Sequence, residues 1–467
     1  MNTKGIKENF REFWGEFRKV KYGIVGLVLF FVFLLIAIFE PLIILFPEAS
    51  KRWRDITYWE DNPKNAAPAW TNWFTNKKNT PQIILDDPEI KEDETTNTQV
   101  VRAVFKYDYF YDVPPIDLIL RATGKGLINL VIELERPDGI NFEVTKKSIK
   151  LSSEAPIRVS LDKEGTSIVG EFLKSYEDPA ILQGISINTV KPVEVFFVQA
   201  QNRLLDNPVP LKGEYRLKLT SVAVGSNSFL QEPEITVAGR VFGFMGTDAS
   251  KRDIWSGVIA GTKWALLIGL LTSAIAVVIG VFYGVTSAFF GGTVDQIMMR
   301  IYEIFQSIPL LPVMIVVSAV FKPSIWTMII MMCSFFWVSS VRTVRSMGLQ
   351  IKEETYVEAA HALGASNRRI IFKHMVPQLI PYAFASMALQ VPVSIVYEAS
   401  VSLIGLGDAT IVTWGQILHD AMQGGAVLQG IWWWIVPPGL FIAIMGMTFA
   451  FLGFATDTIL NPKLKTR

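Results

Sequence analysis

The chain has 467 residues, 50% of them hydrophobic, and its formal net charge of +1 at pH 7 gives no indication of a nucleic-acid partner. The apolar residues collect in long runs near the start and in the C-terminal half, and each run approaches the roughly 20 residues that cross a bilayer. Cys333 is the sole cysteine. An intrachain disulfide is therefore excluded, and any domain outside the membrane must be stabilised by its hydrophobic core alone.

An amphipathic helix is predicted for the N-terminal segment 1–21. Its apolar residues recur at helical spacing: Ile6, Phe10, Phe13, Trp14 and Phe17. A helix lying on the membrane surface and a plain linker helix both fit this pattern. Because no short apolar core with a small-residue cleavage site is present, we expect a retained cytoplasmic tail and no signal peptide.

Six membrane-spanning helices are predicted from the apolar runs. The runs are 22–46, about 264–290, 305–321, 324–341, 379–404 and 431–454. Pro309 and Pro312 interrupt the third run, and prolines are tolerated in membrane helices where neighbouring groups satisfy the freed carbonyls. We therefore expect a first span at 22–46 and a helical core with spans two to six at 256–460.

The distribution of basic residues predicts the orientation of the spans. Lys and Arg are concentrated in the N-terminal tail, in the loop between spans four and five, and in the tail 461–467, whereas 405–430 has neither. With six spans the three basic segments lie on one side, which we expect to be the cytoplasm. Both termini are then cytoplasmic and the segment 47–255 lies outside, with Lys322 as a minor exception.

The segment 47–255 is predicted to form a β-rich domain outside the membrane. Period-two alternation occurs at 215–219 and 157–161, and the run 127–139 ends in the turn signal Pro-Asp-Gly. A further strand is predicted at 193–198. Strands at short spacing favour an antiparallel sandwich.

The start of this domain, 51–74, is rich in tryptophan. Its tryptophans are Trp53, Trp59, Trp70 and Trp73. Tryptophan side chains anchor proteins at lipid interfaces, stack on ligands, or hold an irregular segment onto a core. The sequence leaves these three interpretations open.

The most informative stretch is 347–381, which reads MGLQIKEETYVEAAHALGASNRRIIFKHMVPQLIP. One face of a short helix is lined by Tyr356, Ala359, Ala360 and Leu363. Gly364 is placed to end that helix in the left-handed conformation. Ser366 can cap a second helix, which we expect to stop near Pro377. The pattern predicts a cytoplasmic helix-turn-helix hairpin, at about 343–378, whose small-residue surface can dock into a groove.

This hairpin resembles the EAA loop of ABC-importer permeases. That pattern is Glu-Ala-Ala, three residues, Gly, nine residues, then Ile-x-Leu-Pro. The chain has Glu358-Ala359-Ala360, then Gly364, then His374-Met375-Val376-Pro377. His and Val replace the Ile and Leu, while the register and the proline are kept.

Other segments resemble the dipeptide/oligopeptide/nickel permeases of the C-subunit type. Gly246-Thr247-Asp248 and Arg252-Asp253 are similar to the GTD-x-x-GRD signature, with Lys251 where that signature usually has Gly. Further matching positions are Asp295 and Arg300 in DQIMMR, Gly405 and Gly407 in EASVSLIGLG, and Trp414 and Gly415 in TWG. The resemblance covers about 241–465 and the first span, and it leaves out most of the segment 47–255.

The resemblance implies a type I ABC-importer permease fold in the inner (cytoplasmic) membrane. It also implies three kinds of partner: a second homologous permease subunit, two cytoplasmic ABC ATPase subunits and an extracytoplasmic solute-binding protein. The helix ending at Gly364 is then the coupling helix, seated on one ATPase. Peptides are the expected solute, and oligosaccharides are the alternative within the family.

Two acidic residues are candidates for a role beyond packing. Glu358 is expected to pair with a basic residue of the ATPase, with a helix cap or a solvated position as alternatives. Glu398 lies inside a span, where acidic groups usually face the bundle interior. It is a candidate for the translocation path, and a packing hydrogen bond to the partner permease is an equal alternative. Glu40 is expected to reach the membrane interface.

No catalytic, metal or cofactor site is predicted. His361, His374 and His419 are widely spaced in the sequence, and no GxxxxGK[ST] phosphate loop is present. We therefore expect a transport subunit that is not an enzyme, with ATP hydrolysis on partner subunits. The alternatives from other classes are a membrane receptor and an ATP-independent channel or transporter. The short cytoplasmic segments argue against the first, and the lack of an evident inverted repeat argues against the second.

Overall fold

The computed structural model describes residues 14–95, 98–151, 156–184, 186 and 189–460. Segment 1–13, with most of the predicted amphipathic helix, and the predicted tail 461–467 lie outside the described residues. The chain divides into two compact units. Met1–Arg54 and Trp255–Arg467 together form the helical unit, and Asp55–Ile254 forms what we call the insert.

The helical unit begins with residues 14–17 in helical conformation, followed by three helices. These are α1 (Lys21–Ile38), α2 (Glu40–Ile43) and α3 (Ala49–Arg52). Phe17 is buried in a cluster with Ala455 and Ile459. The described end of the predicted amphipathic helix therefore packs against the chain's own C-terminal helix through this aromatic side chain.

The insert contains one antiparallel sheet. Its strands are β1 (Ile83–Leu85), β2 (Glu89–Thr95), β3 (Thr98–Tyr109), β4 (Asp117–Glu135), β5 (Asn141–Leu151), β6 (Ile157–Arg158) and β7 (Gly213–Ala238). The order is β2-β3-β7-β4-β5, with β1 on β7 and β6 on β4. The predicted strand at 215–219 is confirmed, because Leu217 pairs with Phe105 and Leu134 on its two neighbours. The predicted turn after the run at 127 is also confirmed, since Gly139 adopts a φ of +84° there.

Helices complete the core of the insert. They are α4 (Lys163–Tyr176), α5 (Pro179–Gly184) and α6 (Pro192–Phe196). Leu173 of α4 and Phe196 of α6 belong to the same buried cluster as Leu217 of β7. The β-rich character is thus confirmed. The predicted sandwich is wrong, because every strand in the described residues belongs to one sheet and helices supply the opposing apolar side chains.

Two of the predicted strands are largely helical. The segment predicted as a strand at 193–198 is α6, which has Pro192 in its first turn and Lys191 in extended conformation before it. Proline at that position favours a helix start, and a short apolar run cannot be assigned by periodicity alone. In the strand predicted at 157–161, β6 ends at Arg158 and a 3₁₀ turn, Val159–Leu161, follows. The turn forms because Asp162 caps α4 by accepting from the backbone N–H of Glu164.

The rest of the helical unit follows the insert. Its helices are α7 (Ile254–Phe290), α8 (Gly292–Ser307), α9 (Leu310–Val320), α10 (Ile325–Phe336), α11 (Val338–Lys352), α12 (Thr355–Ala362), α13 (Asn367–Ile370), α14 (Val376–Leu403), α15 (Trp414–Gln423) and α16 (Val436–Leu460). A π-helical turn, Ile371–Met375, joins α13 to α14.

Five helical stretches in the described residues are long and apolar enough to cross a membrane. They are Lys21–Ile38, Ile254–Phe290, Ile325–Lys352, Asn367–Leu403 and Trp432–Ile459. The predicted third span is instead the pair α8 and α9, bent by 75°, and counting it as one span gives up to six. The break falls at Ile308, which is extended, because a residue before proline is disfavoured in the helical region.

Candidate functional site

The hairpin around Gly364 is formed by α12 and α13. Helix α12 ends in a Schellman motif, in which Ala365 N–H donates to Ala360 O and Gly364 N–H donates to His361 O, both at 3.0 Å. Gly364 has a φ of +77°, which a residue with a Cβ adopts only at a cost. Ser366 then caps α13 by accepting from Arg369 N–H. The turn and the cap therefore lie where the sequence places them.

One side of α12 anchors the hairpin to the helical unit. Val357 is 3% exposed and lies in a cluster with Val344, Ile370 and Met375. Ala360 packs against the same cluster. This residue therefore belongs to the anchoring side and not to the open face on which the sequence analysis places it.

The opposite side of α12 is open to solvent. Tyr356 is 40% exposed and Leu363 is 88% exposed, and Ala359 and Glu358 are exposed as well. Partial burial, together with the neighbouring Glu354, raises the pKa of the Tyr356 phenol, so its hydroxyl group remains protonated at neutral pH. We call the stripe formed by Tyr356, Ala359 and Leu363 the coupling face.

Pro377 does not end the second helix of the hairpin. The helical stretch continues from Asn367 to Leu403, and Pro377 lies in the first turn of α14. In the preceding π-helical turn, Val376 N–H donates to Ile371 O five residues back. This wider turn accommodates a proline whose ring would otherwise clash with the carbonyl of the preceding helical turn. The expectation that the helix stops near Pro377 is wrong, and the hairpin continues directly into a candidate span.

The GTD-x-x-GRD-like segment forms a buried, hydrogen-bonded turn inside the insert. Asp248 and Arg252 are 0% and 4% exposed. Arg252 donates from its backbone N–H to Asp248 Oδ1 at 2.8 Å and from Nε to Oδ2 at 2.5 Å. Thr247 Oγ1 donates to Pro63 O at 2.6 Å and accepts from Ala66 N–H at 2.9 Å. This hydrogen-bonded turn therefore joins the two ends of the insert to each other.

The residue preference at two further positions of this segment is explained by backbone conformation. Gly246 and Lys251 have φ angles of +73° and +66°. Lys251 therefore occupies a left-handed position that favours the Gly usual in the signature. Its Nζ donates to Glu60 O at 2.8 Å. Burial, and next the Arg158 guanidinium, lowers the pKa of the Lys251 ammonium. Asp253 is fully buried and bridges to Thr247.

Asp295 forms an ion pair with a residue that the sequence analysis missed. Arg345 of α11 donates from Nε to Asp295 Oδ1 at 2.7 Å and from a terminal nitrogen to Oδ2 at 2.5 Å. The Ser287 hydroxyl also donates to Oδ1. By contrast, Arg300 makes an exposed pair with Glu303 at 2.8 Å. Thus Asp295 links α8 to α11, and Arg300 lies on the surface.

Glu398 is buried and hydrogen-bonded within this chain. It is 4% exposed, and its Oε1 accepts from the hydroxyls of Ser402 and Thr413, each at 2.7 Å. These bonds join the end of α14 to the segment before α15. Of the two roles left open by the sequence, this geometry favours a packing hydrogen bond, made here within the chain.

The last signature segment packs beside Glu398. Trp414 is 2% exposed and its indole N–H donates to Val258 O at 2.8 Å. Gly405 has a φ of +87°. A Cβ on Gly415 would lie 2.6 Å from Ala399 Cα, and a Cβ on Gly407 would clash with Ser402. These three glycines are explained by backbone conformation or close packing.

A second charge pair, in which only the carboxylate is buried, was not predicted. Lys263 Nζ donates to Glu40 Oε2 and to Ser50 Oγ, both at 2.7 Å. Glu40 is 5% exposed and is paired inside the helical unit, while its position at the depth of the membrane interface stays a prediction. The sequence feature that could have predicted this pair is one Glu near the end of the first apolar run and one Lys just before the second. Among the described residues, no group of three or more His, Cys, Asp or Glu side chains is placed to hold a metal.

Comparisons with known proteins identify the family of this chain. Residues 276–466 match the family model described as binding-protein-dependent transport system inner membrane component, and 9–68 match the N-terminal TM domain of oligopeptide transport permease C. The dipeptide transport system permease protein DppC of Bacillus subtilis is 34% identical over 223 residues, covering 48% of this chain and 69% of that protein. The oligopeptide transport system permease protein OppC of Haemophilus influenzae is 34% identical over 221 residues, covering 47% and 70%.

Among solved structures, the inward-facing MetNI methionine ABC transporter matches 45% of this chain and 97% of its own, at 18% identity and a TM-score of 0.34. The family models and the two relatives show the class of protein: the chain is an inner-membrane permease of a binding-protein-dependent transport system. Within that class, the chain belongs to the family of dipeptide and oligopeptide transport permeases of the C type. Neither family model covers 69–275, which includes most of the insert.

Proposed function

We propose that this chain is one of two permease subunits of an ATP-driven peptide importer and lines half of its pore. The partners are a second homologous permease, two cytoplasmic ABC ATPases that hydrolyse ATP, and an extracytoplasmic binding protein that delivers the solute. The names of the relatives, dipeptide and oligopeptide transport permeases, favour peptides over the oligosaccharides that the sequence leaves open. The concentration of Lys and Arg in both tails and in the hairpin supports cytoplasmic termini.

The exposed coupling face is the observation that carries this proposal. Leu363 is a large apolar side chain at 88% exposure, at the end of a helix that lies between two candidate spans in the sequence. Apolar side chains of this kind become buried when a helix docks into a groove on a partner. We assign the partner as an ATPase, with Glu358 beside the coupling face to pair with a basic residue.

The hairpin is built to transmit a movement of the ATPases to the spans. Val357 and Ile370 of the hairpin pack in one cluster with Val277, Val281 and Val285 of α7, and α13 continues into α14. A displacement of α12 therefore moves two candidate spans together as rigid elements. Rigid-body rocking of such helices is how a pore switches between its two open states, and ATP biases that equilibrium by binding the two states differently.

The test is recovery of partners with the tagged chain from gently solubilised membranes, identified by mass spectrometry. Two variants change the coupling face and its rim, Leu363→Asp and Glu358→Arg. Leu428→Asp is the matched control, because Leu428 is also an exposed leucine of the helical unit, at 94%, but lies outside the hairpin. We expect the wild type and the control to recover a second permease and ATPases.

In the two hairpin variants we expect the ATPases to be lost or reduced while the second permease remains. Because both changed side chains are exposed, folding should be unaffected. Recovery of the wild-type chain alone, under conditions that keep other membrane complexes intact, would favour an ATP-independent transporter or a receptor instead. Equal ATPase recovery in all variants would refute the assignment of the coupling face.

A further inference from the structure

Exposed aromatic side chains cluster at the base of the insert, which we define as residues 55–74 and 239–254, where the chain enters and leaves it. Trp73 and Phe74 are 80% and 79% exposed, and Phe244 is 57% exposed. Trp59, in the same base, is buried at 1%. The Trp-rich segment therefore contains both core and surface aromatics. The surface aromatics, together with the half-buried Trp70, are called the aromatic platform below.

The aromatic platform is held together by hydrogen bonds and ring contacts. Trp70 and Trp73 lie in a 3₁₀ helix, Ala69–Trp73, in which residues three apart project to the same side. The Trp70 indole N–H donates to Phe244 O at 2.8 Å. The rings of Trp70 and Phe74 meet edge to face with centroids 6.2 Å apart. The exposed aromatics thus belong to one surface and are not scattered over the insert.

The base is tied to the point where the chain enters a candidate span. Gly246 N–H donates to Phe242 O, and Ile254 N–H donates to Gly246 O, both at 3.1 Å. Ile254 is the first residue of α7. Through these two bonds the backbone at Phe242 lies within about 10–15 Å of that residue. At the other end of the insert, Asn62 Nδ2 donates to Lys251 O at 3.1 Å, so both ends meet in the base.

The length of α7 places this base near the bilayer surface. Its 37 residues correspond to about 55 Å, which exceeds the roughly 40–45 Å of a bilayer including its headgroups. A helix of this length that crosses the bilayer extends beyond its hydrocarbon core, and we infer that its first residue, Ile254, lies at or just beyond the outer headgroup layer. Aromatic side chains a short distance from it are within reach of that layer.

Basic residues accompany the aromatic platform. Lys77 and Lys78 follow Phe74 by three and four residues and are exposed. The Nζ of Lys78 donates to the carbonyls of Asn72 and Thr75, which holds its charge beside the aromatic side chains. Tryptophan and phenylalanine flanked by lysine are the composition of segments that lie in a lipid interface, where the rings occupy the headgroup level and the ammonium groups attract anionic phosphates.

We propose that the aromatic platform is seated in the headgroup layer of the lipid bilayer and anchors the base of the insert to lipid. Lipid is the occupant because the base is continuous with a candidate membrane-spanning helix and because the exposed ammonium groups of Lys77 and Lys78, just after the platform, are complementary to anionic headgroups. It requires the chain to be a membrane protein but does not require the proposed ATPase coupling or the peptide cargo.

The test measures how deeply nitroxide labels at the platform lie in nanodiscs that contain phosphatidylglycerol. Labels are attached at Trp73→Cys and, separately, at Phe74→Cys, in a Cys333→Ala background that removes the sole native cysteine. Both positions are exposed, so labelling should leave the fold intact. Val224→Cys is the matched control, since Val224 is an exposed apolar residue of β7 at 46%, separated from Ala238 by about 45 Å of extended strand.

We expect the ratio of oxygen collisions to nickel-chelate collisions to be higher for the two platform labels than for the Val224 label, because the headgroup layer is less accessible to the chelate than water is. Platform labels that are as accessible to nickel as the Val224 label would overturn the proposal. Protection that appears only when a second permease or a binding protein is added would overturn it as well, because the occupant would then be that protein.

Discussion

Arg345→Ala should destabilise the helical unit measurably, although the residue lies outside the resemblance motifs. Its guanidinium makes two bonds to Asp295, at 2.7 and 2.5 Å. The Asp295 and Arg345 side chains are only 14% and 29% exposed. Removing the guanidinium leaves the carboxylate mostly out of water with the Ser287 hydroxyl as its remaining donor among these contacts.

The expected magnitude follows from the exposure of the pair. Breaking a fully buried ion pair costs about 3–5 kcal/mol, and breaking an exposed one costs about 0.2–1 kcal/mol. Because this pair is partly exposed, we expect a loss of about 2 kcal/mol in the free energy of unfolding. Arg345→Lys keeps the charge but loses the two-pronged geometry, so its loss should be about half as large.

Arg300→Ala is the matched control, since Arg300 lies on the same helix as Asp295 and its pair with Glu303 is 79% and 49% exposed. Its loss should stay below about 0.5 kcal/mol. The measurement is thermal unfolding of the purified chain in nanodiscs, with Asp295→Asn combined with Arg345→Ala to complete a cycle. Equal midpoints for Arg345→Ala and Arg300→Ala would refute the reasoning, because the Asp295–Arg345 pair, which is mostly out of water, would then contribute no more than the exposed one.

Three further changes test other parts of the chain. Gly364→Ala should destabilise the hairpin by about 1–2 kcal/mol, and Gly364→Asn by less, seen as faster proteolysis within the hairpin. Lys251→Gly should raise the free energy of unfolding of the insert by up to about 1 kcal/mol, seen as a higher unfolding midpoint, because it relieves a left-handed backbone. Glu398→Gln should preserve both stability and transport in proteoliposomes, because its amide oxygen can still accept from the two hydroxyls, whereas Glu398→Leu should lower stability.

For each of these three changes, a different result would contradict the stated reason. Equal proteolysis of Gly364→Ala and wild type would mean that the turn is not held in the left-handed conformation. A lower midpoint for Lys251→Gly would mean that the bond from its Nζ outweighs the backbone strain. Loss of transport without loss of stability in Glu398→Gln would restore this carboxylate to the translocation path.

Apolar length and strand alternation are local properties, and they predicted the strand at 215–219 and the five long apolar helices, but not the short segments at 157–161 and 193–198. Leu217 and its period-two neighbours form a strand because one side of the strand is buried in the core. The number of sheets is not local. It depends on β4 and β7 pairing with each other over nearly their whole length and on helices such as α6 supplying the apolar side chains that a second sheet would have provided.

The candidate functional site shows the same difference between local features, which the sequence predicts, and features that depend on how distant segments pack. The turn at Gly364 was predictable because a Schellman motif is specified within six residues. The continuation of the helix past Pro377 was not, because it depends on a π-helical turn that no residue pattern announces. The pairing of Asp295 with Arg345, fifty residues apart, depends on how two helices pack, and periodicity within either helix does not reveal it.

The residues that resemble the family signatures therefore differ in what they can do for transport. Asp248 and Asp295 already accept from arginine side chains, and Glu398 from two hydroxyls. A solute or partner that recruited these carboxylates would first have to break those bonds, at a cost of about 1.5–3 kcal/mol each. The coupling face carries no such cost, since Leu363 and Tyr356 lose only contact with water on docking. This difference supports the proposal that the coupling face, and not these carboxylates, is the surface on which a partner gains free energy by binding.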